Sequence, residues 1–576
     1  MSTEKKVTGY PSIDKPWLKY YTEEDVAFDI NKTIYENFKK IAEENKNKVA
    51  LVGFRTGKKT KFEELLKQAD EFACGLTALG VKKNGKIVVL SLNSFIDAIA
   101  LLGANKIGVV IEFLDPDSDI AQMQRHTSNA DAIIVEGVFL PLIKKINNNI
   151  DVVVYNYTKN QIDSDNQIAY EEFIDKGRDI QVVINDDVSL PAVIIFSSGS
   201  TGAPKPIVHS NYSVNCAIKK MLNADFPLHR ENFMSKAIPS HIGLGVITSM
   251  LVALMAGMSQ IIIGTIDESV FNFETDEPTL IAMLTVAESI GMISNYKNWL
   301  NINNFDENKG LVFFAAPIFF KIILSHSQSI NDMSFIKGVL LGGSKMSEEE
   351  LDSMEMIFKN KGLSVPIGIG YGQNELCGAV ALNTVHHNKN GSAGYPVAGT
   401  NIRIVDRDTY GDVKFNQVGL ILEKSDSIFL CYDNMPEETE ESKVVLPDGT
   451  EWYNSNDLGY MDEEGFLFIT GRTNRVVIKS DHKVSMDVVE TKIKSINGIK
   501  DAAVVAYSNG KEDGDTIVFA TLENSHIEMS LDVINDQKNG LTIFETPVKL
   551  VIVDELPRMN NSKVDYRALE KEAEKL

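Results

Sequence analysis

Nine consecutive residues, Ser197-Ser198-Gly199-Ser200-Thr201-Gly202-Ala203-Pro204-Lys205, follow directly on an apolar run at 191–196. The run has the length and β-branched content of a buried strand. The segment after it supplies four hydroxyls, two glycines that let backbone N–H groups approach an oxyanion, and one compact cationic charge. A strand emptying into such a segment reads as a phosphate-binding loop. It differs from the G-x-x-x-x-G-K-[ST] pattern, whose lysine opens a helix. Here Pro204 and Pro206 flank Lys205 and prevent a helix from starting there.

Charge decides how such a loop must work. The chain has 576 residues and a formal net charge of −23, so its summed field repels nucleic acid and anionic membranes, and no nucleic-acid partner is expected. A nucleotide must therefore be held by local donors. Cys74, Cys216, Cys377 and Cys431 are widely spaced and form no C-x-x-C pair; they read as reduced thiols of a cytoplasmic protein, with no zinc site. The first residues are polar and lack the apolar core of a secretory signal. Residues 242–264 carry no charge over 23 positions, enough to cross a bilayer. Gly245, Gly257, Ser259 and Gln260 instead divide them into a helix and a strand at 261–263, so no integral membrane segment is expected.

Along the first half, short β-branched runs at 49–54, 87–90, 109–113, 132–135 and 152–155 alternate with helical patterns at 62–79 and 94–106. This alternation marks βαβ units and a parallel sheet. A second α/β set follows the loop, with strands at 311–316, 338–341 and 365–368; from about Gly394 shorter strands and turns suggest a small β subdomain. The acidic run 435–442 reads as an exposed loop. Beyond Gly471, patterns at 484–496, 502–506, 516–521 and 549–553 suggest a compact α+β unit.

Taken together, these segments resemble the signature of the adenylate-forming (AMP-binding) superfamily, which includes acyl-CoA synthetases. The loop at 197–205 is followed by His209 and Asn211. Gly370-Tyr371-Gly372-Gln373-Asn374-Glu375 is similar to the family's G-Y-G-x-T-E. Residues 452–460, with Asp457, resemble W-x-x-T-G-D-x-G-Y; Gly471-Arg472 followed by Asn474 resembles its hinge; and Leu556-Pro557 through Lys563 resembles L-P-x-T-x-x-G-K. The resemblance implies an α/β fold. A large N-terminal domain of layered α/β subdomains plus a small β subdomain spans 1–473, and a small, mobile α+β C-terminal lid domain spans 474–576.

It also implies a chemistry. A carboxylic acid attacks the α-phosphorus of ATP, pyrophosphate leaves, and a thiol takes the acyl group from the acyl-adenylate. Both first reactants are anions, so the problem is charge rather than proton transfer. By resemblance, Ser197, Ser198, Gly199, Ser200, Thr201, Gly202 and Lys205 cradle phosphates. Gly343 and Ser344 line the adenine and the acyl pocket, and Tyr371, Gly372 and Asn374 border the nucleotide. Glu375 holds the Mg2+ that bridges phosphates. Asp457 accepts both ribose hydroxyls, Arg472 points at the nucleotide, and Lys563 reaches in from the lid to neutralise developing charge. His241 matches a position beside the carboxylate that gates thiol access, although a histidine among apolar residues is equally a hydrogen-bonded core group. His209 reads as structural.

Substrate and acceptor are less constrained. No Asp or Glu occurs between Ala237 and Thr265, which disfavours an amino acid, whose buried ammonium would lack a partner. The apolar segments 242–254 and 311–320, with Gly243, Gly245, Phe313 and Phe314, suggest a pocket for a fatty or other hydrophobic acid. Asn374, Ser455-Asn456, Asn474-Arg475 and Ser562 depart from the family pattern. Asp481 stands where the CoA-using relatives carry glycine, and a carboxylate there is unfavourable to an approaching thiol and CoA phosphates. Three readings follow: an acyl-CoA ligase using coenzyme A, an acyl-AMP ligase loading an acyl carrier protein, and a non-catalytic nucleotide-binding homologue. Retention of Lys205, Glu375, Asp457, Arg472 and Lys563 together speaks against the last.

Overall fold

The computed structural model describes residues 7–21, 28–146, 149–156, 162, 164–197, 204–264, 279–343, 346, 348–479, 482–507, 514–524, 526–559 and 563–576. Two large sheets carry the first four hundred residues. The eight-stranded sheet runs Cys431–Tyr432, Pro206–Ser210, Pro191–Phe196, Val110–Phe113, Lys86–Leu90, Ala132–Glu136, Val152–Tyr155 and Gln167–Ala169. It is parallel from Pro191–Phe196 onward, and the two strands before it are antiparallel. The nine-stranded sheet has six central parallel strands, from Val49–Gly53 to Ile367–Gln373, flanked by antiparallel Lys59–Lys61 on one side and by Gly378–Leu382 and the edge strand Tyr395–Pro396 on the other.

Most of the expected strands and the helices Phe62–Ala78 and Phe95–Lys106 form within a residue or two of the sequence expectation, but the strand expected at 365–368 runs over Ile367–Gln373 and the one at 502–506 over Ile499–Tyr507. Phe95–Lys106 is buried at every position, Asp97, Asn105 and Lys106 included. Asn93 ties the two sheets together: its amide donates to the carbonyls of Ala237 and Ile263, both at 2.9 Å, and its oxygen accepts from the buried Lys236. The uncharged stretch 242–264 divides as expected, into helical turns Leu244–Leu251 and Val252–Met255 and a strand Ser259–Ile262. Among the described residues, no helix is long and apolar enough to cross a membrane. All four cysteines are free thiols.

A five-stranded antiparallel sheet follows, in which Gly419–Ser425 and Leu467–Arg472 flank Glu451–Met461. Past residue 475 lie a two-stranded ribbon and a three-stranded sheet, with helices Met486–Lys494 and Tyr566–Ala573. Two expectations need correction. The acidic run contains a helix, Pro436–Glu441, rather than a loop. Proline suits its first position and Glu437 and Glu438 complement its dipole, while Thr439 is buried and accepts from the Tyr432 backbone N–H. Phe313 and Phe314 are fully buried in two different cores, and residues 245–255 are buried as well. These apolar residues pack against the sheets.

Candidate active site

The loop at 197–205 joins two antiparallel strands, with Phe196 opposite Pro206. Its base is closed by two hydrogen bonds: Ser197 N–H to the Lys205 carbonyl, and Lys205 N–H to Ser197 Oγ, both 2.9 Å. Ser198, Gly199, Ser200, Thr201 and Gly202 lie outside the described residues, as does Ser344. Lys205 Nζ stands 4.8 Å from the centroid of the Tyr432 ring. The Tyr432 hydroxyl in turn donates to Glu375 Oε1 at 2.9 Å.

Glu375 follows the strand Ile367–Gln373 in a tight turn that ends in Cys377, whose φ of 58° is left-handed. Burial raises the Glu375 carboxyl above its usual range, against the Tyr432 hydrogen bond and the Arg472 and Lys205 charges. The turn is anchored from beneath. His209 Nε2 donates to the Asn374 carbonyl at 2.7 Å, and its Nδ1 lies 2.9 Å from Cys377 Sγ. A carbonyl can only accept, so the proton sits on Nε2 and the thiol donates to Nδ1. Burial pushes this imidazole down to about 4, so it is neutral and structural, as expected from sequence. The Asn374 amide donates to the Phe196 carbonyl at 2.5 Å and so pins the turn to the start of the loop.

Asp457 is 2% exposed and receives three side-chain donors. Tyr371 Oη (2.7 Å) and Gln373 Nε2 (3.0 Å) donate to Oδ2, and Arg472 Nε lies 2.9 Å from Oδ1. Asp457 and Arg472 face each other across neighbouring strands. Ser455 and Asn456 both fit their places. Ser455 Oγ accepts from the Asp457 N–H, and Asn456 has φ 58°, a conformation asparagine tolerates next best to glycine. Lys563 faces the same pair: burial and the Arg472 guanidinium push its ammonium down to about 8, with Asp457 opposing. A backbone hydrogen bond from Met559 N–H to the Lys563 carbonyl holds its turn.

Gly343 has φ 90°, and a Cβ there would meet nothing within 4 Å, so it borders open space. A Cβ on Gly372 would sit 2.0 Å from the Gly378 carbonyl oxygen; the hairpin itself requires this glycine. His241 is set apart from the others. Its Nε2 is 3.8 Å from Asp115 Oδ1, and its buried Nδ1 has no partner among the described residues. Two residues further on, a Cβ on Gly243 would meet Asn374 Oδ1. Asp97 is an acid near this segment that a linear reading misses, but its oxygens are taken by Ser91 and Ser240 hydroxyls. Tyr432, Gln373, Tyr453 and Glu423 also escaped the sequence reading. Glu423 left little trace there either, since it reads as the start of the polar end Glu423-Lys424-Ser425 of the strand Gly419–Ser425.

Two sheets whose strand ends meet at a phosphate-type loop, followed by a small C-terminal unit, define an α/β enzyme of the adenylate-forming kind. Residues 38–433 match the family described as AMP-binding enzyme, and the chain belongs to that family. Among curated relatives, 4-coumarate:CoA ligase 1 of Petunia hybrida is 24% identical over 513 residues, covering 86% of each chain. Among solved structures, the anthranilate CoA ligase AuaEII in complex with anthranoyl-AMP superposes with TM-score 0.75 at 18% identity, over 96% of this chain and 99% of that one. ATP-bound MatB from Rhodopseudomonas palustris also gives 0.75 at 18% identity, over 93% and 98%.

Proposed function

We propose that this chain activates a carboxylic acid with ATP, releases pyrophosphate, and passes the acyl group from acyl-adenylate to the thiol of coenzyme A. The observation that carries this reading is the convergence of Lys205, Glu375, Asp457, Arg472 and Lys563, which come from five separate segments of the chain. All five are charged side chains, four of them brought to one place against the cost of burial, an arrangement that suits two anions made to react.

In this reading residues 197–202 and Lys205 hold phosphates, Gly343 and Ser344 lie along the base, and Tyr371, Gly372 and Asn374 shape the floor. Asp457 takes the ribose, Arg472 a phosphate, and Lys563 the oxygen between acid and α-phosphorus. His241 stands at the rim where the thiol enters. Among the described residues no group of three or more His, Cys, Asp or Glu could hold a metal. A single carboxylate, Glu375, nonetheless fits Mg2+, which takes most of its ligands from phosphates and water; when bound, the ion would supply neutralisation of phosphate charge.

Residues 1–473 form the AMP-binding domain and 474–576 a lid that turns about Asn474. Support comes from cores built wholly from residues beyond 476, apart from those of the large domain. The acid is hydrophobic, fatty or aromatic. The support is the absence of a free acidic partner for an ammonium between 237 and 265, together with the aromatic acid in the petunia relative's name.

The test is pyrophosphate release from ATP across fatty, aryl and amino acids, with hydroxylamine as trap, then thioester formation with coenzyme A or a carrier protein. Lys563→Ala is expected to lose adenylation by several hundredfold or more while still forming thioester from preformed acyl-adenylate. Equal loss of both half-reactions would contradict its role.

A further inference from the structure

Glu423 is the most anomalous residue near the site. It is fully buried on Gly419–Ser425, and neither carboxyl oxygen accepts a well-formed hydrogen bond among the described residues, although the Tyr371 hydroxyl lies close enough to favour its charged form. A buried carboxyl without partners costs several kcal/mol on an order-of-magnitude scale, the more so if charged. Its surroundings sharpen the anomaly. Across the strand pair it stands opposite Tyr453, whose hydroxyl donates to Gln373 Oε1 at 2.8 Å. Gln373 Nε2 donates to Tyr371 Oη at 2.9 Å and to Asp457 Oδ2. The Glu423 carboxyl lies against the Tyr371 hydroxyl and feels the charges of Asp457, Glu375 and the buried Lys220. Burial, then the two carboxylates, push it up to about 8 against the Tyr371 hydroxyl and Lys220, so at neutral pH it is mainly the uncharged acid, whose carbonyl oxygen still accepts.

Asp457 presents the complementary problem. A carboxylate offers about four acceptor positions. Tyr371 and Gln373 fill both on Oδ2 and Arg472 takes one on Oδ1. One position remains, while a ribose brings two hydroxyls. Tyr371 therefore competes with the ribose for Asp457, and it has a vacant acceptor beside it.

We propose that Glu423 is a positioning residue that accepts the Tyr371 hydroxyl when a nucleotide binds, so that Asp457 Oδ2 is released to the ribose. Rotation about the Tyr371 Cζ–Oη bond is enough to move the donor from one carboxyl to the other; no proton changes owner. The inference rests on the reading of Asp457 as the ribose acceptor.

The experiment measures, by calorimetry, the affinities of the full-length protein for AMP and for 2′-deoxy- and 3′-deoxy-AMP. The quantity read is the ratio of deoxy to ribo dissociation constants, from which phosphate contacts cancel. Wild type is expected to favour AMP by roughly tenfold or more, the worth of a hydrogen bond to a charged group. Glu423→Gln, nearly isosteric and still an acceptor, keeps most of that ratio. Glu423→Leu lowers it roughly tenfold, because Tyr371 stays on Asp457. Adding Tyr371→Phe to Glu423→Leu restores it, since the competitor is gone; a purely structural role for Glu423 would not give that rescue. A wild-type ratio in Glu423→Leu, or a folded double variant without rescue, overturns the inference. A wild type that binds AMP without discriminating the deoxy analogues removes the ribose reading of Asp457 itself, and the exchange with it.

Discussion

The ammonium of Lys563 gives up its proton near pH 8, well below the value of a free lysine. The fold disfavours the charged form through burial and the neighbouring Arg472, so between about pH 8 and the usual lysine range the folded protein binds fewer protons than the unfolded chain. The charge it brings to the acid and α-phosphate is therefore present below about pH 8 and lost above. In the free enzyme, kcat/KM for pyrophosphate release is expected to fall as pH rises through that value. Lys563→Arg, which stays charged, should show a lower plateau without that limb. Persistence of the limb in the arginine variant would assign it to another group. The two glycines Gly343 and Gly372 make the same point about reading residues in context. Gly372→Ala must open the hairpin between Ile367–Gln373 and Gly378–Leu382, because its Cβ would overlap a carbonyl oxygen. Gly343→Ala meets no atom and bears only the strain of φ 90°, about 1–2 kcal/mol. Thermal melting is expected to show a much larger loss for Gly372→Ala; equal losses would refute the packing argument.

Among the elements, the turn Thr473–Arg475 between the last large-domain strand and the C-terminal ribbon has the most specific fastening. Asp487, at the start of Met486–Lys494, accepts the Arg472 backbone N–H through Oδ2 at 2.9 Å and the Arg475 Nε–H through Oδ1. Arg475 also reaches Glu490 and the Val504 carbonyl, and its guanidinium lies 3.6 Å from the Tyr566 ring centroid. One carboxylate thus grips both sides of exposed Asn474. If the lid turns there, the bond to Arg472 must break, whereas the one to Arg475 travels with the lid. Asp487→Ala is expected to slow adenylation several-fold, with less effect on thioester formation from preformed acyl-adenylate, since only this arrangement of the lid is weakened. It should also speed hydrogen exchange at the Arg472 amide. A variant in which both half-reactions change equally, with unaltered exchange, would show that the contact is incidental.

For the molecule as a whole, what could be read from the sequence was what local rules govern. The β-branched strands, the largely apolar helix Phe95–Lys106 and the two strands flanking the loop at 197–205 announce themselves by periodicity and by Pro and Gly placement. The turn bearing Glu375 and the segment bearing Asp457 were found because their glycines and carboxylates are nearly contiguous, although Asp457, read from sequence as a turn residue, lies within the strand Glu451–Met461. The Tyr453–Gln373–Tyr371–Asp457 network was not legible, because its members come from strands of two different sheets about eighty residues apart and meet only where those sheets pack together. Phe313 and Phe314 were misread as pocket for a similar reason: an apolar residue carries no sign of whether it faces a ligand or a neighbouring sheet. The route of the chain through the two large sheets has a consequence for its synthesis. Val49–Gly53 is among the first strands made, yet its parallel neighbour is Ser259–Ile262, with Leu51 paired to Gln260. At ribosomal speeds of about 5–20 residues per second, that partner emerges on the order of 10–40 s later. Meanwhile the chain leaves the unfinished sheet and lays down seven contiguous strands, from Lys86–Leu90 to Pro206–Ser210, in the other one. The nascent chain must therefore carry an apolar strand with one edge open for most of the first half of translation, which makes this segment the natural place for a chaperone to hold and the first to aggregate in a chain that stalls before residue 259.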